Sequence, residues 1–88
     1  MAKFRCGKIV TTPNALERLT REDILRGIGQ HQAGDWGDVN EHDQQANERA
    51  LTEGTRLWSV YQAANGTMFW IITEADRSAT TVLLPEDY

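Results

Sequence analysis

Leu57-Trp58-Ser59-Val60-Tyr61-Gln62-Ala63-Ala64-Asn65-Gly66-Thr67-Met68-Phe69-Trp70-Ile71-Ile72-Thr73-Glu74 is the stretch that decides the fold. Two runs rich in β-branched and aromatic residues flank Asn65-Gly66, a strong short hairpin signal. Strands are expected over 57–63 and 68–74. A two-residue turn pairs position 60 with 71 and 62 with 69. One face then carries Trp58, Val60, Gln62, Phe69, Ile71 and Thr73, and the other Leu57, Ser59, Tyr61, Met68, Trp70, Ile72 and Glu74. Both faces are largely apolar, so helices are expected to cover one and something further, such as a partner, to cover part of the other.

Outward from the hairpin, Asp76-Arg77-Ser78 reads as a second turn leading into a third strand, Ala79 to Leu84, which Pro85 ends. Towards the N-terminus the period changes from two to that of helices. Asn40 with Asp43 caps a polar helix that Gly54 stops, with a thin buried stripe of Val39, Ala46, Ala50 and Leu51. Thr20 and Asp23 form a shortened capping box, opening a helix with Ile24, Leu25 and Ile28 on one side and Leu19 placed as a staple. Gly27 and Gly29 imply that this helix is short or packs closely. Thr12-Pro13 caps a further short helix. Before it, Phe4 to Thr11 alternates loosely and reads as a strand, with Cys6 a small buried hydrophobe.

The expected order is β-α-α-α-β-β-β. This is an α+β domain over 1–88: an antiparallel three- to four-stranded sheet, made of a C-terminal meander and an N-terminal strand, on two or three helices. Eighty-eight residues imply a folded surface of roughly 5,200 Å² and one small core, with no room for a doubly wound nucleotide-binding fold or a TIM barrel. No segment approaches the length of a membrane span, and no apolar run of signal-peptide length follows the basic start. A lone cysteine gives no intrachain disulfide. Cytoplasm is the expected compartment.

Thirteen acidic against nine basic residues give a net charge of −4, which argues against binding nucleic acid through its phosphates. The charge is unevenly spread. Residues 1–34 carry net +3 and residues 35–53 net −5, the latter from Asp35, Asp38, Glu41, Asp43, Glu48 and Glu53 against Arg49. That block reads either as a solvated helix face or as a docking surface for a basic partner. Within it, Gly34-Asp35-Trp36-Gly37 is a tight turn in which Trp36 either folds back to seal the core or stands out as a rigid anchor for a partner.

Candidate chemistry is sparse. His31 and His42, with Asp35 and Asp43, make a loose set without standard zinc spacing; His31 is expected near a helix C-terminus or exposed. Glu74, Asp76 and Arg77 could hold a metal in a small nuclease, but turn chemistry with Arg77 paired to an acid is the simpler reading. No nucleophile–His–acid arrangement or phosphate-cradling loop is present. No catalytic residue, metal site or cofactor is assigned.

The stretch His31-x-x-Gly34-Asp35-Trp36-Gly37, the run Asn47 to Leu51, and Phe69 to Ser78 through Leu83-Leu84-Pro85 and Tyr88 resemble a group of small bacterial proteins of plasmids and other mobile elements. Some of its members carry an automatic label linking them to type I restriction–modification subunits. A methyltransferase does not fit in this length. What the resemblance implies is context: mobile elements carry small acidic proteins that block host defence, of anti-restriction or anti-CRISPR type. The expectation is a non-enzymatic, acidic protein-binding module using Asp35, Trp36, Asp38, Glu41, Asp43 and Glu48 to engage a protein, such as a nucleic-acid-handling defence complex. The alternatives are a homodimeric structural or regulatory domain whose exposed sheet face pairs with itself, and a small metal-dependent nuclease or toxin.

Overall fold

The structure is a computed structural model describing residues 2–88. Its elements follow the order β1 (Lys8–Thr11), α1 (Pro13–Arg18), α2 (Arg21–Gln32), α3 (Glu41–Glu53), β2 (Leu57–Gln62), β3 (Met68–Thr73), β4 (Ala79–Leu83) and a 3-10 turn, Pro85–Asp87. The described surface is 5333 Å², close to the size expectation.

The helix starts form as their sequences dictate. Thr12 Oγ1 accepts from the Ala15 N–H with Pro13 at the first helical position. At α2, Thr20 and Asp23 exchange both capping-box bonds, each 3.0 Å. Asn40 Oδ1 accepts from the Asp43 N–H at 2.8 Å, and Gly54 ends α3 in the left-handed conformation. The buried stripe of α2 differs from the expected one. Leu25 is 56% exposed, while Asp23, Gly27, Ile28 and His31 turn inward. On α3 Ala50 is buried as expected, Val39 and Leu51 pack against its cluster, and Asn47 is buried as well. A polar amide and an imidazole thus occupy core positions, which apolar periodicity does not register.

The sheet order is β1-β4-β3-β2. The three C-terminal strands form the expected antiparallel meander, and β1 joins at an edge but runs parallel to β4. The sheet is therefore mixed. The first strand is also shorter than expected, because Phe4 and Cys6 leave the extended path to pack in the core.

The hairpin register departs by one residue from the two-residue-turn reading. Val60 pairs with Trp70, Tyr61 with Phe69 and Ser59 with Ile71. The loop holds three residues: the Ala63 N–H donates to the Thr67 carbonyl, the Gly66 N–H donates to the Ala63 carbonyl, and Gly66 takes φ +89°. This is a turn followed by a left-handed glycine bulge, the usual solution for a three-residue connection. A slip of one residue exchanges the faces of β3. The inner face carries Leu57, Ser59, Tyr61, Phe69, Ile71 and Thr73, joined on β4 by Thr80 and Val82. The outer face carries Trp58, Val60, Trp70, Ile72 and Leu83.

Beneath α1 and α2 the inner face closes on Ala15, Leu19, Ile28, Phe69, Ile71, Val82 and Leu84. A second cluster of Trp36, Ala50 and Leu57 lies under α3, and Phe4 packs against both. On the outer face the chain supplies part of its own cover. Trp58 meets Trp70 edge to face at 5.3 Å, and the C-terminal turn returns Tyr88 to Trp70 at 5.6 Å. Val60, Ile72 and Leu83 are 7%, 4% and 6% exposed, so this face is less bare than its composition suggests.

Candidate functional site

The acidic block has two parts, a loop carrying Asp35 and Asp38, and α3, which carries Glu41 and Asp43 in its first turn, then Glu48 and Glu53. The loop is fixed from both sides. Asp35 receives hydrogen bonds from Gln30 Nε2 at 2.9 Å and from the Gly37 N–H at 3.3 Å, and its carbonyl accepts from Tyr61 Oη. Trp36 and Asp38 bond the backbone of Val60, extending the sheet by a one-residue bridge. Gly37 takes φ +74° there, and a side chain would strike the Val60 carbonyl and the Tyr61 ring.

Trp36 is 3% exposed, stacks on Phe4 at 6.2 Å and donates its indole N–H to Glu48 Oε2 at 2.8 Å. It seals the core. As an exposed anchor for a partner it offers no surface, which corrects that reading. Glu48 is committed to Trp36, and Asp35 to its own turn. The carboxylates without a bonded partner among the described residues are Asp38, Glu41, Asp43 and Glu53. Glu41, Gln44, Gln45 and Glu48 line an open groove of about 410 Å³ along α3. Among the described residues the one ion pair is Arg18–Glu86 at 3.7 Å, so no acid of the block is ion-paired.

His31 lies near a helix C-terminus, as expected, but is not exposed. It is in the last turn of α2 but fully buried, with Nδ1 2.5 Å from Ser59 Oγ and Nε2 2.8 Å from Thr73 Oγ1. The proton directions follow by elimination. The Thr80 hydroxyl donates to the Cys6 carbonyl at 2.8 Å, which spends its one proton. Thr73, 2.7 Å from Thr80, must therefore donate to it. With its own proton spent, Thr73 accepts from His31 Nε2–H, and Nδ1 is left to accept from Ser59. The imidazole is thus a neutral Nε2–H tautomer. Burial, then the positive charge of Arg77, lowers its pKa to about 4. This relay joins α2, β2, β3, β4 and the N-terminal segment through five residues and is closed to solvent. It bonds structure together and exposes no reactive nitrogen.

His42 is exposed on α3, and His31 has both nitrogens occupied, so the two do not make a joint site. Among the described residues no group of three or more His, Cys, Asp or Glu stands close enough to share a metal ion. Glu74, Asp76 and Arg77 form the β3–β4 turn: the Asp76 carboxylate accepts from the Ser78 N–H at 2.9 Å and Arg77 takes φ 62°. Arg77 pairs with no acid. Its guanidinium donates to the carbonyls of Thr55 at 2.7 Å, Ala50 at 2.9 Å, Glu74 at 3.1 Å and Ala75 at 3.2 Å, tying the hairpin end to the C-terminus of α3. Cys6 is buried, as expected of a small hydrophobe.

On the outer face, Arg56, Trp58, Trp70, Ile72 and Tyr88 line an open groove of about 330 Å³. Arg56 Nη1 donates to Tyr88 Oη at 3.1 Å. The Trp58 indole nitrogen is buried without an oxygen or nitrogen partner; its edge-to-face contact with Trp70 is the arrangement in which a π-cloud serves as a weak acceptor.

Fold and surface together define a small α+β domain with a mixed four-stranded sheet backed by three helices, and an acidic loop and helix whose carboxylates form no ion pair. Compared with protein-family models, curated proteins and solved structures, the chain matches none. No described helix is long and apolar enough to cross a membrane.

Proposed function

We propose that this chain is a non-enzymatic protein-binding module that docks its acidic wall onto a basic surface of another protein. The observation that supports this is that six acids cluster over residues 35–53 and none of them is ion-paired. Asp38 stands on the loop bonded to Val60, Glu41 and Asp43 in the first turn of α3, and none of the three is ion-paired. Like charges gathered on ordered backbone steer a complementary surface and set its orientation. A nucleic-acid-handling protein of a bacterial defence system is a partner of the right charge, since its substrate channel is basic. In that setting the wall would compete with the phosphate backbone, the action of an anti-restriction or anti-CRISPR inhibitor.

The test is a pull-down from host lysate with the triple variant Asp38→Lys, Glu41→Lys, Asp43→Lys beside the wild type. These three side chains carry no bond in the fold, unlike Asp35 and Glu48. The expected result is a stoichiometric basic partner captured by the wild type, lost in the variant and released by salt. Capture that survives the triple reversal moves the interface off this wall.

A further inference from the structure

The two edges of the sheet are finished differently. On β2, Asn47 of α3 bonds both backbone groups of Trp58, at 2.7 and 3.0 Å, and the loop residues Trp36 and Asp38 bond both backbone groups of Val60. That edge is closed by the chain itself, as sheet edges of monomers usually are. On β1 nothing comparable is present among the described residues. The Lys8 and Thr12 N–H groups donate to the carbonyls of Ser78 and Val82, each at 3.0 Å. Alternation along a parallel ladder assigns Val10 to the same set and turns the N–H and C=O of Ile9 and Thr11 away from the sheet. Around these free groups Ile9 is 48% and Val10 41% exposed.

We propose that a second copy of this chain pairs antiparallel with β1, joining two four-stranded sheets into one across a two-fold axis. The register follows from which groups are free. Ile9 and Thr11 must form the hydrogen-bonded pairs, and only Ile9 opposite Thr11 of the second copy uses both. Each such pair exchanges two bonds and the axis generates two pairs, so about four backbone bonds form. Val10 then faces Val10 of the second copy on the outer face, and Lys8 stands opposite Thr12. Charge supports this register. The Thr12 hydroxyl donates to the Asp87 carboxylate at 2.7 Å, which also accepts from Asn14 and the Leu84 N–H. Lys8 of each copy therefore meets the Thr12–Asp87 corner of the other, while the two Lys8 side chains stand apart. The shared edge is short, so the dimer is a reversible, concentration-dependent one.

Solution mass against concentration, by sedimentation, reads the association directly. The expected result is a shift from 9.9 kDa towards twice that mass; a monomer throughout the accessible range overturns the proposal. Ile9→Pro removes only a solvent-facing N–H, a position where an edge strand tolerates proline, and is expected to be monomeric. Dimer persisting in a variant with native circular dichroism overturns the proposal. Should that variant not fold, Lys8→Glu decides at an exposed site: the dissociation constant is expected to rise several-fold, and an unchanged constant overturns the register. Register is read independently by oxidative cross-linking. Residues opposite each other in a non-hydrogen-bonded pair have Cα atoms about 4.5 Å apart, within disulfide reach. Thr11 lies roughly 8–9 Å from its own copy, beyond it. Val10→Cys is therefore expected to link and Thr11→Cys not to; the reverse, or equal linking, overturns the arrangement.

Discussion

Gly27 of α2 lies so close to the Phe69 ring that a β-carbon there would stand 2.9 Å from its Cε2 and 3.0 Å from Ile71 Cδ1. Two residues on, Gly29 faces open space. The pair separates helix propensity from packing within a single helix. Gly29→Ala is expected to stabilise by about 0.5–1 kcal/mol. Gly27→Ala has the same propensity gain but forces the Phe69 and Ile71 side chains aside, and a net loss of about 1–2 kcal/mol is expected. Urea midpoints of the two variants check this; equal midpoints would mean that the sheet yields easily under α2.

Asn47 acts as a substitute strand at Trp58, accepting from its N–H and donating to its carbonyl. Asn47→Ala leaves both groups short of partners and is expected to cost about 2–4 kcal/mol. Asn47→Asp keeps the acceptor but sets a carboxylate against a carbonyl oxygen, so it should lie close to the alanine variant. Hydrogen exchange at the Trp58 amide gives a local readout that rises in both.

Trp36 and Glu48 link the acidic loop to α3. Trp36→Ala is expected to lose about 3–5 kcal/mol and Trp36→Phe less, since the ring volume largely remains. Loss of partner binding in Trp36→Ala then reports a loosened loop rather than a missing contact. Binding retained by Trp36→Phe, with a lowered urea midpoint, separates the two.

The buried His31 gives stability a pH dependence of definite sign. Its folded pKa, about 4, lies below the ordinary 6.5. Between those values the unfolded chain binds a proton that the folded chain refuses, so stability rises with pH through this window and is level above it. The loss from pH 6.5 down to 4 is expected to be roughly 3 kcal/mol. Asp23, Asp76 and Asp87 are all held below the usual carboxylate range, chiefly by hydrogen bonds from Thr20, Ser78 and Thr12 respectively. Their contribution is lost only at lower pH, as they protonate. Urea titrations of wild type and His31→Gln across pH 4–7 should show the slope in the former and its removal in the latter.

The caps were legible because each is a local event. Thr12, Thr20, Asn40 and Gly54 act within three or four residues of themselves, and the structure uses all four. The hairpin was legible in place but not in register. Asn65-Gly66 admits both a two-residue turn and a three-residue loop closed by a left-handed glycine, and one residue decides which face Phe69 joins. His31 and Asn47 were missed as core residues because each is buried with partners distant in the chain: Ser59 and Thr73 for one, the Trp58 backbone for the other. The approach of two consecutive threonine-bearing strands beneath a helical histidine has no signature in periodicity. Trp36 admitted two readings until Glu48, twelve residues on, proved to be its hydrogen-bond partner.

The parallel pairing of β1 with β4 bears on the order of events in synthesis. Lys8 aligns with Ala79 and Thr11 with Val82, partners about 70 residues apart in the chain, the kind of contact that forms late. A growing chain carries Lys8–Thr11 out of the ribosome well before β4 emerges, while the hairpin of β2 and β3 already has all it needs. For that interval both sides of an apolar, β-branched segment lack a neighbour, and nascent copies on one messenger are each other's nearest candidates.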